Sequence, residues 1–335
     1  MNSKNISYAG LIDLAQPRLG TRLVFRTDEF FAPAKRMISP SLPIYKEGVF
    51  DKHGKWMDGW ETRRKRTKGH DYVILRLGKI GSISKVDIDT SFFVGNHPQV
   101  ASIEACNSKS LIPNNNVRWH KLIGKKKLKS NRRNIFATKN KSVFTHVKLN
   151  IFPDGGVARL RLFGSISAKH LSFGRKEIDL ASLCNGAAII ACNNEHFGKA
   201  ENILAPGKAN NMGDGWETRR RRSKGFDWAI FKLGIAGSVS KIKIDTHHFR
   251  GNYPDRCSLQ ATFIKEKMGK NLTKKIIKNS SKWNFLLNKT KLSANKSHSF
   301  KNKLMAGNCV NYVKINIFPD GGISRVRLFG KVSKK

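Results

Sequence analysis

The sequence predicts an all-β protein built from two tandem β-sandwich domains of the jelly-roll type. Three observations predict this fold class. The chain has 335 residues, enough for two domains that each bury a core. Its second half repeats its first half. Within each copy, short runs that alternate polar and apolar residues end at turn signals, which is typical of antiparallel sandwiches and jelly rolls.

The duplication is clearest in a heptad. Asp58-Gly-Trp-Glu-Thr-Arg-Arg64 returns unchanged at Asp214–Arg220, an offset of 156, and Phe152-Pro-Asp-Gly-Gly156 returns at Phe318–Gly322, an offset of 166. A solenoid needs more copies and a period of about 20 to 50 residues. We therefore predict a first domain over residues 1–170 and a second over residues 171–335.

Matching strand signals follow in the same order in each copy. In the first copy, Tyr72–Leu77 is rich in β-branched and aromatic residues, and Lys85–Asp89 alternates polar and apolar residues. His146–Phe152 alternates in the same way, enters the Pro-Asp-Gly-Gly turn, and continues as Arg159–Phe163 in a hairpin. The hairpin's second strand carries paired arginines, for which we expect a solvated face or, alternatively, an anion-binding face: Arg159, Arg161, Arg325 and Arg327.

Composition excludes several classes of protein. Hydrophobic residues make up 39% of the chain, too many for a disordered protein. No apolar run approaches the roughly 20 residues of a membrane helix, and the polar first ten residues lack the apolar core of a signal peptide. The five cysteines are scattered without CxxC spacing, which favours free thiols over a zinc ribbon. We expect a cytoplasmic protein with no membrane partner.

The formal net charge is +41. Residues 105–153 and 267–319 each contain 12 Lys or Arg and no acid. This excess fits either a polyanion-binding protein or compositional drift on solvated surface. A nucleic-acid arm is more often one terminal block with interleaved aromatic residues, so we expect no nucleic-acid partner.

The heptad also carries candidate chemistry. In an extended segment Glu61 and Arg63 share a face, while Arg64 faces the other way. A carboxylate beside arginine stays ionised and can orient water, and a guanidinium can hold a substrate carboxylate. The alternative is an internal Glu–Arg bridge that pins a loop in both copies. The predicted substrate-binding residues are Glu61, Arg63, Arg64, Trp216, Arg219 and Arg220, with Asn252 from a Gly-Asn-X-Pro loop whose other reading is a turn.

The copies differ at two histidines. His196 and His248 in the second copy align with Phe30 and Phe92 in the first, near the acids Glu195 and Asp245. A lone histidine is usually a satisfied polar side chain, but two such exchanges near shared acids favour a role in chemistry, and imidazole suits proton transfer near neutral pH. An Asp at a strand end also caps turns. We predict a main catalytic centre of Glu217, Asp245, His196, His248 and Glu195, with a first copy that is chiefly structural.

These motifs together resemble the allantoicase family, the allantoate amidinohydrolases. The resemblance covers Asp13 to Gly330 and rests on long motifs: Thr27–Pro33, Lys52–Arg64, Asp89–Phe93, Asn194–Gly198, Leu204–Gly207, Asn211–Arg220, Gly251–Pro254 and both Phe-Pro-Asp-Gly-Gly turns. It implies two repeated jelly-roll domains, similar to galactose-binding-like sandwiches. It also implies hydrolysis of allantoate to ureidoglycolate and urea in purine degradation.

This implied reaction needs a base for water and a proton donor for the leaving nitrogen, or a divalent metal ion that activates water. The residues leave the cofactor open. We expect allantoate as the small-molecule substrate and a homo-oligomer. The rival hypothesis is a non-catalytic tandem β-sandwich that binds nucleic acid or an acidic glycan, since fold alone does not imply function.

Overall fold

A computed structural model describes residues 8–171, 177–266, 268–302, 304 and 309–333. Residues 1–7, part of the segment on which the cytoplasmic prediction rests, lie outside this description. The described residues separate into two compact units, one formed by Ile12–Ser167 and the other by those from Ala168 onward together with residues 8–11. In the described residues, no helix is both long enough and apolar enough to cross a membrane. The five cysteines are free thiols.

The first unit folds around one eight-stranded antiparallel sheet. Its strand order is β1-β12-β6-β10-β7-β8, with β2 and β9 also paired to β6. Two short pairs, β5 with β11 and β3 with β4, lie beside it. The strands are β1 (Ile12–Asp13), β2 (Arg22–Arg26), β3 (Phe50–Asp51), β4 (Gly54–Lys55), β5 (Trp60–Glu61), β6 (Asp71–Asp89), β7 (Val100–Cys106), β8 (His120–Lys127), β9 (Arg133–Ala137), β10 (Val143–Phe152), β11 (Gly156–Val157) and β12 (Arg159–Ile166).

The second unit repeats this plan. Its sheet order is β13-β22-β16-β20-β17-β18, with β14 and β19 also paired to β16 and a separate β15–β21 pair. The strands are β13 (Ile178–Asp179), β14 (Ala188–Cys192), β15 (Trp216–Glu217), β16 (Asp227–Asp245), β17 (Arg256–Thr262), β18 (Asn284–Lys291), β19 (Ser297–Phe300), β20 (Val310–Phe318), β21 (Gly322–Ile323) and β22 (Arg325–Val332). Each unit is a β-sandwich, so the predicted fold class is confirmed.

One long strand in each unit serves both layers of its sandwich. The first part of β6 lies between β2 and β10, with Leu75 opposite Leu23 and Val147. Its last part lies between β9 and β12, with Val86 opposite Phe136 and Leu162. The bends and bulges within a 19-residue strand allow this change of layer. Alternate residues point inward, as the period-two pattern predicted.

The second unit departs from the all-β prediction in one segment. The helix α1 (Lys270–Asn279) lies in the insertion that lengthens the second copy. Leu272 and Ile276 on its buried face pack with Ile190, Ile230 and Tyr312 of the sheet. Their spacing of four residues places them on one helix face. The helix therefore covers the outer surface of the sheet without changing the sandwich.

In each unit, a buried arginine begins the second strand of the hairpin. It connects that strand to the first residue of the heptad and to the loop that precedes the heptad. The Arg159 guanidinium is 1% exposed, and its Nη2 donates to the Asp58 carboxylate at 2.6 Å. It also donates to the carbonyls of Ser41 and Leu42. Arg325 repeats the arrangement with Asp214 at 2.8 Å. The predicted solvated arginine face is wrong, because these loops fold over it.

Removal of one partner from such a pair leaves a buried charge without compensation. We expect Asp214→Ala to lower the free energy of unfolding by about 3 to 5 kcal/mol, because Arg325 keeps its charge and loses its carboxylate. The measurement is urea-induced unfolding followed by circular dichroism.

The matched control is Lys275→Ala in the same unit. Lys275 pairs with Glu266 at 2.8 Å while both side chains are more than half exposed, so its loss should cost at most about 1 kcal/mol. Equal losses in the two variants would contradict a structural role for the buried pair.

Candidate functional site

Packing explains most of the repeated heptad. Trp60 is fully buried and its indole N–H donates to the Asp28 carbonyl at 2.7 Å. A Cβ on Gly59 would lie 2.5 Å from the Val157 carbonyl oxygen, so only glycine fits. The Thr62 hydroxyl accepts from the Gly155 N–H at 3.1 Å. Together with the buried Asp58 pair, these contacts leave only the glutamate and the two arginines for solvent.

The glutamate of each heptad is held by an asparagine. Glu61 ends β5, and its Oε1 accepts from the Asn96 amide at 2.5 Å. Glu217 ends β15 and accepts from Asn252 in the same way. The predicted residues Glu61, Glu217 and Asn252 therefore lie in matching carboxylate–amide pairs, one pair in each unit.

In the first unit this pair lies in a cavity of about 420 Å³. Glu61, Arg64, Asn96, His97 and Asp154 line it. The cavity therefore combines a carboxylate, a guanidinium, an imidazole and an amide. That set can hold a small carboxylate-bearing molecule and exchange protons with it.

His97 is a site residue that the sequence reasoning missed. It lines the cavity, and its Nδ1 is buried without a hydrogen-bond partner among the described residues. The available signal was the alignment of His97 with Tyr253 in the Gly-Asn-X-Pro loop. The predicted imidazoles, His196 and His248, both lie in the second copy, and His97 adds an imidazole in the first.

The Glu61 carboxyl is shifted toward its neutral form. Burial raises the pKa of Glu61, the Asn96 hydrogen bond lowers it, and the negative charge of Asp51 raises it again. The net pKa lies above the usual value. A carboxyl whose pKa moves toward neutrality is suited to accept and release a proton.

The first arginine of each heptad has a different environment in the two units. Arg63 Nε lies 3.1 Å from the Asp28 carboxylate. In the second unit Asn194 occupies the Asp28 position, and Arg219 makes no ion pair among the described residues. Its Nη2 lies 3.4 Å from His196 Nδ1. The structure thus brings together two predicted residues, Arg219 and His196.

The second arginine of each heptad is exposed and without an ion pair among the described residues in both units. Within the described part of the chain, neither Arg64 nor Arg220 forms an ion pair, and both side chains are exposed. The next residue is neutralised instead: Lys65 pairs with Asp71 at 2.8 Å, and Arg221 pairs with Asp227. Alternation along the extended chain directs Arg64 and Arg220 away from these acids.

Trp216 does not line a site. It is fully buried, and its indole N–H donates to the Asn194 carbonyl at 2.7 Å. Its assignment as a substrate-binding residue is wrong, because a side chain without exposed surface cannot contact a bound ligand. Trp216 instead supports the loop that carries Asn194.

Three predicted catalytic residues have other partners. The Glu195 carboxylate accepts from the Ala200 N–H at 3.1 Å, as Glu29 does from Ala34 in the first unit. Asp245 accepts from the His247 N–H and lies in register with Arg325. His248 Nε2 lies 2.9 Å from the Ala209 carbonyl, so it donates there. Between described residues, no hydrogen bond or ion pair joins any of the three to Glu217, and the hydrogen-bond partners named here are backbone groups.

Side chains that could bind a metal ion are not grouped together in the described residues. Within the described ranges, no group of three or more His, Cys, Asp or Glu side chains is placed to hold a metal ion. The structure therefore assigns no metal ligands.

Comparison with known proteins gives a consistent result. A family described as "Allantoicase repeat" matches residues 12–167 and 178–333. The chain is 46% identical to a probable allantoicase of Pseudomonas fluorescens over all of both chains. It is 47% identical to one from Acinetobacter baylyi, over 97% of this chain and 96% of that protein.

A crystal structure of allantoicase from Saccharomyces cerevisiae is similar with a TM-score of 0.81 at 35% identity. The similarity covers 97% of this chain and 94% of that one. Both repeats and the heptads within them lie inside the matched ranges. The chain belongs to the allantoicase family.

Proposed function

We propose that this protein is an allantoicase, which hydrolyses allantoate to ureidoglycolate and urea. Full-length similarity to probable allantoicases supports the reaction. The observation that supports its location is the carboxylate–amide pair beside an open arginine, present in both units as Glu61–Asn96–Arg64 and Glu217–Asn252–Arg220. Chemistry at these positions is our own assignment.

The substrate carries a carboxylate on a carbon that bears two ureido groups. Arg64 and Arg220, which form no ion pair among the described residues, bind that carboxylate through paired hydrogen bonds. Glu61 and Glu217 take the proton from the attacking water. The carbon–nitrogen bond breaks, the carbon gains a hydroxyl group, and the departing nitrogen takes a proton to give urea.

The asparagines orient the glutamates. Each amide donates to one carboxylate oxygen, Oε1, and no side-chain donor to the other oxygen is found among the described residues. In the first unit His97 is the candidate proton donor to the leaving nitrogen, because it lines the same cavity as Glu61. In the second unit His196, beside Arg219, is the candidate for this role.

The proposal places one site in each repeat. This replaces the hypothesis of a main centre in the second copy with Asp245, His248 and Glu195, since those residues have structural partners. A homo-oligomeric state and a cytoplasmic location stay predictions.

Two independent sites give a specific pattern in mutants. We expect Glu61→Gln and Glu217→Gln each to leave about half of the turnover, and the double variant to lose about a hundredfold or more, the scale for a lost proton-transfer group. Release of urea and ureidoglycolate from allantoate is the measurement.

Glu266→Gln is the control, because it makes the same chemical change at an exposed carboxylate and should leave turnover intact. A hundredfold loss from one single variant would show one working site. Retained turnover in the double variant would remove the glutamates from the mechanism.

The Asp51 charge provides a test of the Glu61 role by pH. Glu61 acts as a base in its ionised form, so kcat/KM falls as the pH drops through its pKa. Asp51→Asn removes a charge that raises this pKa, so the acid limb of the profile should move to lower pH. The profile is measured in the Glu217→Gln variant, where only the first site works.

Asp51→Glu is the matched control, because it keeps the negative charge and should leave the limb in place. A limb that stays fixed in Asp51→Asn, or moves to higher pH, would contradict the role of Glu61 as the titrating base.

A further inference from the structure

In the first unit, the Arg63 guanidinium forms an ion pair with the carboxylate of Asp28. The Asp28 carboxylate accepts from the Arg63 backbone N–H at 2.8 Å and from its side-chain Nε at 3.1 Å. Burial raises the pKa of Asp28, but these hydrogen bonds and the Arg63 charge outweigh it, so the net pKa lies below the usual value. Asp28 therefore stays ionised near neutral pH and neutralises Arg63.

In the second unit the same backbone frame carries an amide. Asn194 Oδ1 accepts from the Arg219 backbone N–H at 3.3 Å, as Asp28 does from Arg63. The indole of Trp216 fixes the Asn194 carbonyl at 2.7 Å, and Trp60 fixes that of Asp28 at 2.7 Å. The two loops thus have the same connections, and the exchange removes one negative charge.

No acid forms an ion pair with Arg219 among the described residues. There its guanidinium lies within hydrogen-bond distance of His196 Nδ1, at 3.4 Å. An exposed guanidinium without a counter-ion attracts anions more strongly than one already paired with a carboxylate. Of the two arginines that end each heptad, both Arg219 and Arg220 lack an ion pair among the described residues, whereas in the first heptad Arg63 is paired and Arg64 is not.

We propose that Asn194 is the residue that makes the two sites unequal, because it leaves Arg219 free to bind the carboxylate of allantoate together with Arg220. The inference rests on the proposed function and specifies it further. The second repeat binds substrate more tightly, and the first repeat, where Asp28 holds Arg63, works at a higher substrate concentration. Asn194 is a positioning residue that acts through Arg219.

The experiment exchanges the amide of Asn194 and the carboxylate of Asp28 between the two repeats. In the Glu61→Gln variant, where only the second site turns over, Asn194→Asp should raise KM about five- to tenfold with kcat nearly unchanged, the scale of a lost charge-assisted hydrogen bond. In the Glu217→Gln variant, Asp28→Asn should lower KM. Asn284→Asp is the control, since it makes the same change at an exposed position of edge strand β18.

A third arm separates the charge effect from a distorted loop. In an Arg219→Ala background, Asn194→Asp should change KM no further, because the group through which it acts is absent. The inference is overturned if Asn194→Asp leaves KM unchanged, lowers kcat alone, or raises KM equally without Arg219.

Failure of the proposed function is distinguishable from failure of this inference. If the unmodified protein releases no urea from allantoate, the function is wrong, while acetate still serves as a carboxylate probe. Titration of the protein with acetate, followed by the arginine side-chain NMR signals, should then show weaker binding at Arg219 in Asn194→Asp. Equal binding in both proteins would overturn the inference.

Discussion

The buried aspartate–arginine pair at the start of each heptad is the contact on which the site depends. Asp58 and Asp214 lie two residues before the buried tryptophans, and their partners Arg159 and Arg325 begin the strands that follow the Asp-Gly-Gly turns. Each guanidinium also collects loop carbonyls, so its donors are satisfied although it is removed from water. A charge buried in this way is costly without its partner, and the pair therefore fixes the loop relative to the sheet. The position of the following glutamate derives from that constraint.

The duplication acts as an internal comparison within one chain. Both units keep the connections that place the glutamate against an asparagine, and they differ in the side chains that surround this pair. The first unit has His97, Asp28 and the nearby charge of Asp51, whereas Tyr253 and Asn194 stand at the first two of these positions in the second. Such exchanges alter charge and proton affinity without altering the backbone frame. The two units share their backbone frame because the buried residues that form it must pack in the same way. The side chains around the carboxylate–amide pair differ because exposed positions do not have to satisfy that packing.

The strands, the duplication and the family could be predicted from sequence, because alternation, turn residues and long motifs are local signals. The surroundings of the site could not. Strand alternation places Arg159 and Arg161 on one face, but it does not reveal that the loop carrying Ser41 and Leu42 folds over them. The unchanged heptad suggested a chemical role for the whole segment. In the structure, Gly59, Trp60 and Thr62 have packing roles instead. His97 escaped notice because its value comes from the cavity beside Glu61, which depends on contacts distant in the chain.

Some of the excess positive charge lies on strands that support the site. One end of the strand order in each sheet is a lysine-bearing strand, β8 in the first unit and β18 in the second. Edge strands present unpaired backbone groups, and lysines along them disfavour pairing with another chain. Lys125 lies over the Phe152 ring at 4.3 Å and Lys289 over Phe318 at 4.1 Å. These rings directly precede the Pro-Asp-Gly-Gly turns. The basic segments thus hold each edge strand against the turn whose glycine bonds to the heptad threonine, which connects the charge to the support of the site.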